Sequence, residues 1–209
     1  MADITVDTVL RRIDETMEAV RFGLSDVDSS IPGRRNSGIR NVIMLGRTVT
    51  FVIQNLRTVS DRDEFDAWYQ PLQDEMMADP LMQYFKKARN AIEKEGAMAE
   101  LEHAGTVFGP QTIGPEQLGP LWERAPRGTT SISFGGPSGG AFYVVELADG
   151  TIEHVFFDIP DTFGSVTFLA HFADAPAGYE DQTVAQLCST YVEKLSVLVD
   201  LAHQRYETK

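Results

Sequence analysis

The sequence predicts an α+β fold that is mainly α: an antiparallel helical bundle with a small antiparallel β subdomain inserted before a C-terminal helix. Three observations predict it. Apolar residues recur at three- and four-residue steps through residues 1–104 and again from about 181, the period of helices with one buried face. Residues 105–178 hold most of the glycine and proline and most of the β-branched and aromatic runs. The length of 209 residues suits one domain, or one domain with a sizeable insertion. The chain therefore divides into a helical bundle (1–104), a β-rich insert (105–178) and a C-terminal helix that returns to the bundle (179–209).

The first helix starts near Thr5 or Asp7, either of which suits a cap, and carries Val6, Val9, Leu10, Ile13, Met17, Val20 and Leu24 on one stripe. Ser25 to Gly33 reads as a linker. A second helix, Ser37 to Val59, is apolar around most of its circumference, which places it centrally in the bundle. Its polar residues Arg40, Arg47 and Gln54, with Asn41, Thr48 and Asn55 one step round, repeat every seven and form one stripe. A third helical segment spans Asp63 to about Gln73, reaching Met77 at most, with a kink expected at Pro71. Asp79-Pro80 caps and opens a fourth, continued by Leu81, Tyr84, Phe85, Ala88 and Ile92 and stopped at Gly96.

After Gly105, glycine or proline every few residues predicts an extended connector to Pro120. Ser131 to Phe134 reads as a short strand. Ala141 to Leu147 and Thr151 to Ile159 flank Ala148-Asp149-Gly150 as a hairpin, with Phe142, Val144, Val155 and Phe157 expected to pack inward or on a partner. Ser165 to Phe172 adds a strand, although its apolar run also suits a helix. The last helix, from Asp181, carries Val184, Leu187, Cys188, Tyr191, Val192, Leu195, Leu198 and Val199 on one face.

Composition excludes several function classes. A single cysteine, Cys188, allows neither an internal disulfide nor a cysteine-based zinc site, and on an apolar helix face it reads as packing. The N-terminus lacks a secretory apolar core, and no apolar run is long enough to cross a bilayer, so no membrane association and a reducing cytoplasmic setting are expected. Gly135 to Gly140 lacks the Lys-Ser/Thr of a phosphate loop and is not a dinucleotide fingerprint, and no cofactor is expected. Ser138 has no His or Asp at a diagnostic spacing. The histidines form no HxH or HxxxH pair. A zinc site from His154, Asp158 and His171 is conceivable only if the hairpin brings them together; surface or half-buried histidines are the alternative.

Charge is unevenly spread. The chain carries 18 Lys+Arg against 31 Asp+Glu, a formal charge of -13, which argues against a broadly basic nucleic-acid binder but not against a local groove. From Ser29 to Ser60 there is no acid, yet Arg34, Arg35, Arg40, Arg47 and Arg57 fall there. Two readings stand: a cationic patch for phosphate or an acidic partner, or arginines paired with the surplus carboxylates of neighbouring helices.

The segment Phe85 to Gly96 holds Arg89-Asn90 and then Lys94, ahead of the glycine stop. With the apolar helix at 39–56, Trp68-Tyr69 and the Asp79-Pro80 helix start, it resembles the HEPN superfamily, helical-bundle proteins of bacterial defence, toxin–antitoxin systems and RNA processing. Its active members carry Arg, four residues and then His. The resemblance covers the first hundred residues, extends to the last helix at most, and leaves 105–178 unexplained. It implies a homodimer, RNA as partner and metal-independent ribonuclease chemistry around Arg89, Asn90 and the residue at 94. Here that residue is Lys94. A lysine with a reference pKa of about 10.4 holds a phosphate at neutral pH but accepts no proton unless strongly desolvated. The sequence therefore predicts a phosphate-binding groove of Arg40, Arg47, Arg89 and Lys94, with Asn90 at its edge and cleavage weak or absent. His103 is a candidate to supply the missing imidazole. Two alternatives remain: an exposed helix end with Arg89–Glu93 and Asn90–Lys94 pairs, and a dimeric interaction module with a protein partner and no enzymatic role.

Overall fold

The computed structural model describes residues 4–98, 100–108, 114–135, 139–163 and 166–207, with side-chain detail lacking at 103–108, 161 and 166–168. It is a mainly helical α+β fold. The helices are α1 (Val6–Asp26), α2 (Pro32–Gln54), α3 (Arg62–Ala78), α4 (Pro80–Glu95), α5 (Pro115–Glu123) and α6 (Val184–Tyr206). The strands are β1 (Leu101–Phe108), β2 (Thr129–Phe134), β3 (Ala141–Glu146), β4 (Ile152–Phe156) and β5 (Val166–Phe172).

Helix ends follow local chemistry. The Thr5 hydroxyl accepts from the Thr8 amide at the start of α1, Asp61 accepts from Asp63 and Glu64 at α3, and Asp79 accepts from Leu81 and Met82 at α4. Gly96, at φ +69°, ends α4 in the left-handed conformation that glycine adopts without a Cβ clash. Thr183 and Gln186 satisfy one another's backbone amides at the start of α6.

Helix α2 is the centre of the bundle. Ile39, Val42, Ile43, Val49 and Ile53 are fully buried, and the helix packs on α1, α4 and α6. Gly38 meets Gly23 and Asp26 of α1, and Gly46 meets Tyr191 of α6, so two glycines set the approach of three helices. Tyr191 in turn stacks on Phe85 of α4, with centroids 4.1 Å apart and planes 4° from parallel. The α6 stripe from Val184 to Ala202 is buried as its spacing predicts.

Several boundaries differ from the sequence expectation. Helix α2 begins at Pro32, where proline fits the first helical position, so the interhelix segment is shorter than Ser25 to Gly33. Helix α3 continues through Pro71 to Ala78. Of the connector expected from Gly105 to Pro120, residues 109–113 lie outside the described residues; 105–108 end β1, and Pro115 opens α5 with Gln117, whose side chain accepts the Gly114 amide at 2.7 Å. Strand β1 already starts at Leu101, inside the segment assigned to the bundle, and α6 starts at Val184, after the assigned boundary.

The β strands form two sheets. Strands β1 and β5 pair antiparallel, from Leu101 opposite Phe172 to Phe108 opposite Val166, and Ala170 and Phe172 belong to the bundle core. Strands β2, β3 and β4 form the second, antiparallel sheet in that order. Its β3–β4 turn is the predicted hairpin: Gly150 has φ +82° and the Asp149 carboxylate accepts from the Thr151 amide. On β3 the inward face is the one opposite to Phe142 and Val144. Ala141, Tyr143 and Val145 are buried, whereas Phe142 and Val144 are half-buried on the opposite face. The Tyr143 hydroxyl donates to the Leu121 carbonyl of α5, and its ring packs on Phe157, which decides the face. Phe142 instead joins Phe156 and His154 in a second aromatic cluster.

Ser30 ties this sheet to the bundle. Its carbonyl accepts from the Ala141 amide, and its hydroxyl donates to the Phe157 carbonyl and accepts from the Ile159 amide.

Candidate functional site

Helices α2 and α4 run antiparallel. Arg40, early in α2, reaches the end of α4, and Gln54, at the end of α2, faces Gln83 near the start of α4. Between these points the polar stripe of α2 lies against the α4 residues Lys86, Arg89, Asn90 and Glu93, spaced by helical turns.

The structure brings Arg47 and Arg89 together over one aromatic ring. The Arg47 guanidinium carbon lies 4.5 Å from the centroid of Phe51 and that of Arg89 5.7 Å. Phe51 itself is 43% exposed. Each guanidinium gains about 0.5–1 kcal/mol from the ring face at an exposed site, and both remain partly open to solvent. Arg47 also donates to the Thr50 hydroxyl at 2.9 Å. Arg89 donates to Asn90 Oδ1 at 3.3 Å and pairs with Glu93, the i,i+4 partner expected from the helix spacing.

The arginines between Ser29 and Ser60 divide into two groups. Arg34 pairs with Asp26 and Asp158, and Arg57 with Asp66. Arg35 is buried beside Asp28 and donates to the Ser29 carbonyl; burial holds its pKa below the usual arginine value and holds that of Asp28 above the carboxylate range. Arg40 and Arg47 have no carboxylate within ion-pairing distance among the described residues, and neither has Lys86. Arg40 donates to the Gly96 carbonyl at 3.1 Å, a cation at the negative end of α4.

Lys94 is exposed in the last turn of α4, and no hydrogen bond or ion pair joins it to Arg89 or Asn90. Five residues along a helix separate it from Arg89 by about 7.5 Å of rise. His103 and Ser138 lie outside the described side chains. His154 packs on Phe142, and His171 Nδ1 lies 3.0 Å from the Gln182 carbonyl oxygen. Among the described residues no group of three His, Cys, Asp or Glu is placed to hold a metal ion. Cys188 is buried, and burial pushes its thiol pKa up, away from nucleophilic chemistry.

Residues 10–107 match the family model of bacteriophage lambda protein ea47. No curated protein and no solved structure matches the chain. The similarity runs from α1 to the end of β1, so it takes in both helices that carry the cationic stripe. It leaves out the three-stranded sheet and α6.

Sequence reasoning missed four contributors to this face. Phe51 counts as part of the apolar circumference of α2, although its place four residues after Arg47 puts it on the same side. Lys86 stands one turn before Arg89. Tyr69 and Gln73 come from α3 and line a cavity of about 60 Å³ together with Arg47, Gln54, Met76, Met77, Gln83 and Lys86. Tyr69 has its pKa raised by burial, with Gln54 and Arg47 opposing, and stays a protonated donor. A cavity of about 490 Å³ opens on the other side of α4, beside the Tyr84–Asp174 hydrogen bond, and none of the arginines lines it. Among the described residues no helix is long and apolar enough to cross a membrane.

Proposed function

We propose that this chain is a HEPN-like protein that binds RNA through the α2–α4 face and cleaves it slowly or not at all. One observation carries the reading. In a chain of formal charge -13, Arg47 and Arg89 converge on an exposed phenylalanine, Lys86 lines a cavity with Arg47, and of the three only Arg89 has a carboxylate partner. Cations that follow a backbone, with an aromatic face between them, are what single-stranded nucleic acid requires. An exposed lysine, Lys94, stands where active members of the resembled superfamily carry a histidine, which supports binding over catalysis. The similarity to a phage family supports a setting in the conflict between phage and bacterium. Anisotropy of a labelled single-stranded RNA across 50–300 mM salt tests the reading. Three phosphate contacts give a log–log slope of about -2; a salt-independent or absent signal rejects it.

A second reading, the dimeric interaction module, has one observation behind it. Leu72, Met76, Met82, Val197, Leu198 and Leu201 line an apolar groove between α3, α4 and α6, and Val197 is 59% exposed. A mass of one protomer by light scattering removes this reading. A dimer that Val197→Glu dissociates supports it.

A further inference from the structure

We infer that the cavity between α2, α3 and α4 is a receptor for a terminal phosphomonoester, and that the α2–α4 face reads the end of a strand rather than its interior. The inference rests on the RNA-binding reading and specifies what that site recognises.

The lining carries the argument. Eight residues surround the cavity: Arg47 and Gln54 from α2, Tyr69, Gln73, Met76 and Met77 from α3, and Gln83 and Lys86 from α4. Two are cations and none is an acid, in a chain with 31 acidic residues. The amide nitrogens of Gln54 and Gln83 already donate to the Thr50 and Met76 carbonyls, at 3.2 and 2.9 Å. The donors left for a ligand are therefore the Arg47 guanidinium, the Lys86 ammonium, the Gln73 amide and the Tyr69 hydroxyl. The last makes a long 3.5 Å contact to the Thr50 carbonyl and interacts with the Gln54 side chain, so it turns to a ligand by exchanging those contacts. Planar guanidinium, point-charge ammonium and neutral donors facing one space form a set suited to a tetrahedral oxyanion.

Size excludes more than an anion head. At about 60 Å³ the cavity has the liquid volume of roughly two waters, whereas sites for whole small-molecule ligands run from about 300 Å³ upward. A nucleoside does not enter. The cavity is a small recess with Gln73, Met77 and Lys86 exposed at its mouth; a monoester turns three free oxygens into it from one ester arm, whereas an internal phosphodiester has two and a chain leaving on both sides. The monoester also carries up to two charges to match two cations. Phe51 is on the neighbouring turn from Arg47, so the first base beyond the phosphate has an exposed ring to stack on, with Arg89 alongside.

The test compares three eight-nucleotide single-stranded RNAs of one sequence, with a 5′-phosphate, a 3′-phosphate or hydroxyls at both ends. Binding is measured by anisotropy at fixed salt to the wild type and to Lys86→Met, an exposed position that keeps the fold. Inorganic phosphate is run in parallel as a thermal-shift ligand. The expected result is that one phosphorylated end binds at least tenfold tighter than the hydroxyl-ended strand, and that Lys86→Met, whatever it does to the hydroxyl-ended strand, lowers that ratio to below threefold. Equal binding of all three strands overturns the end-receptor while leaving the RNA reading intact. Phosphate raising the melting temperature of the wild type but not of Lys86→Met, with no strand bound, overturns both the RNA reading and strand-end recognition in favour of a free-phosphate site. No response from any probe overturns both readings.

Discussion

Gly38→Ala is a sharp test of how the bundle is assembled. A Cβ built at this position lies 2.7 Å from the Gly23 carbonyl oxygen, 2.8 Å from Asp26 Cβ and 2.9 Å from the Asp26 carbonyl carbon. Ordinary contact begins at 3.4 Å, so α1 must withdraw by about 0.7 Å, and because the obstruction is mainly backbone no rotamer change relieves it. Overpacking of this kind costs about 1–3 kcal/mol, and the backbone atoms put Gly38 at the upper end. Replacing a helical glycine with alanine returns about 1 kcal/mol of propensity. The net expectation is a loss of about 2 kcal/mol, or a fall in Tm of about 4–8 °C for a chain of this size. Gly33→Ala is the paired control. It sits in the first turn of the same helix with nothing within 4 Å of its Cβ, so the propensity gain stands alone at about 0.5 kcal/mol and Tm rises slightly. Far-UV circular dichroism melts of the wild type and both variants decide the matter. A Gly38→Ala protein as stable as Gly33→Ala would show that the α1–α2 crossing is not set by this contact.

Ile43→Asp and Ile53→Asp, both at fully buried positions of α2, should each abolish cooperative melting, because an unpartnered buried carboxylate costs several kcal/mol. His203 bridges Asp14 and Glu207. Burial lowers its pKa, but the two carboxylates outweigh that and raise it above the ordinary imidazole value. The bridge therefore stabilises fully below about pH 6.5 and is lost as pH rises through the folded value. The Tm gap between the wild type and His203→Gln should shrink from pH 6 to pH 8.5; a constant gap refutes it. Arg89→Ala should weaken RNA binding and flatten its log–log salt slope by about 1, with Tm little changed, since an exposed Arg–Glu helix pair is worth only a few tenths of a kcal/mol. Lys94→His should raise RNA cleavage measured on gels at pH 6.5–7.5, because an imidazole then titrates where a general base is needed.

The bundle was legible because its signals are local and redundant. Asp79-Pro80 and Gly96 bound α4 by chemistry that needs no tertiary partner, and the all-round apolar pattern of α2 admits only a central position. The sheet region was less legible. Helix α5 hides behind Gly114, Gly119 and Pro120, and its start depends on one glutamine side chain folding back to an amide. Which face of β3 is buried depends on the Tyr143 hydrogen bond to Leu121, a partner 22 residues away with no trace in the alternation. At the candidate site, the convergence of Arg47 with Arg89 follows from antiparallel packing of two helices whose polar stripes can be drawn from spacing alone. The α3 wall is different. Nothing in the order Tyr69, Gln73, Met76, Met77 says that this helix closes one end of the α2–α4 groove.

The pairing of β1 with β5 has a consequence for how the chain can be edited. Phe108 stands opposite Val166 as a paired position, which in an antiparallel ladder puts their Cα atoms about 4.5–5.5 Å apart. Seen from the helices, residues 109–165 leave and return through a gap that an ordinary tight turn closes. The segment containing α5 and the three-stranded sheet is thus a cassette carried on a hairpin stem, whose strand β5 contributes Ala170 and Phe172 to the bundle core and leads on to α6. A different cassette, or a short turn, joined at the same two positions would leave the stem's backbone pairing untouched, at the cost of the fastening through Ser30.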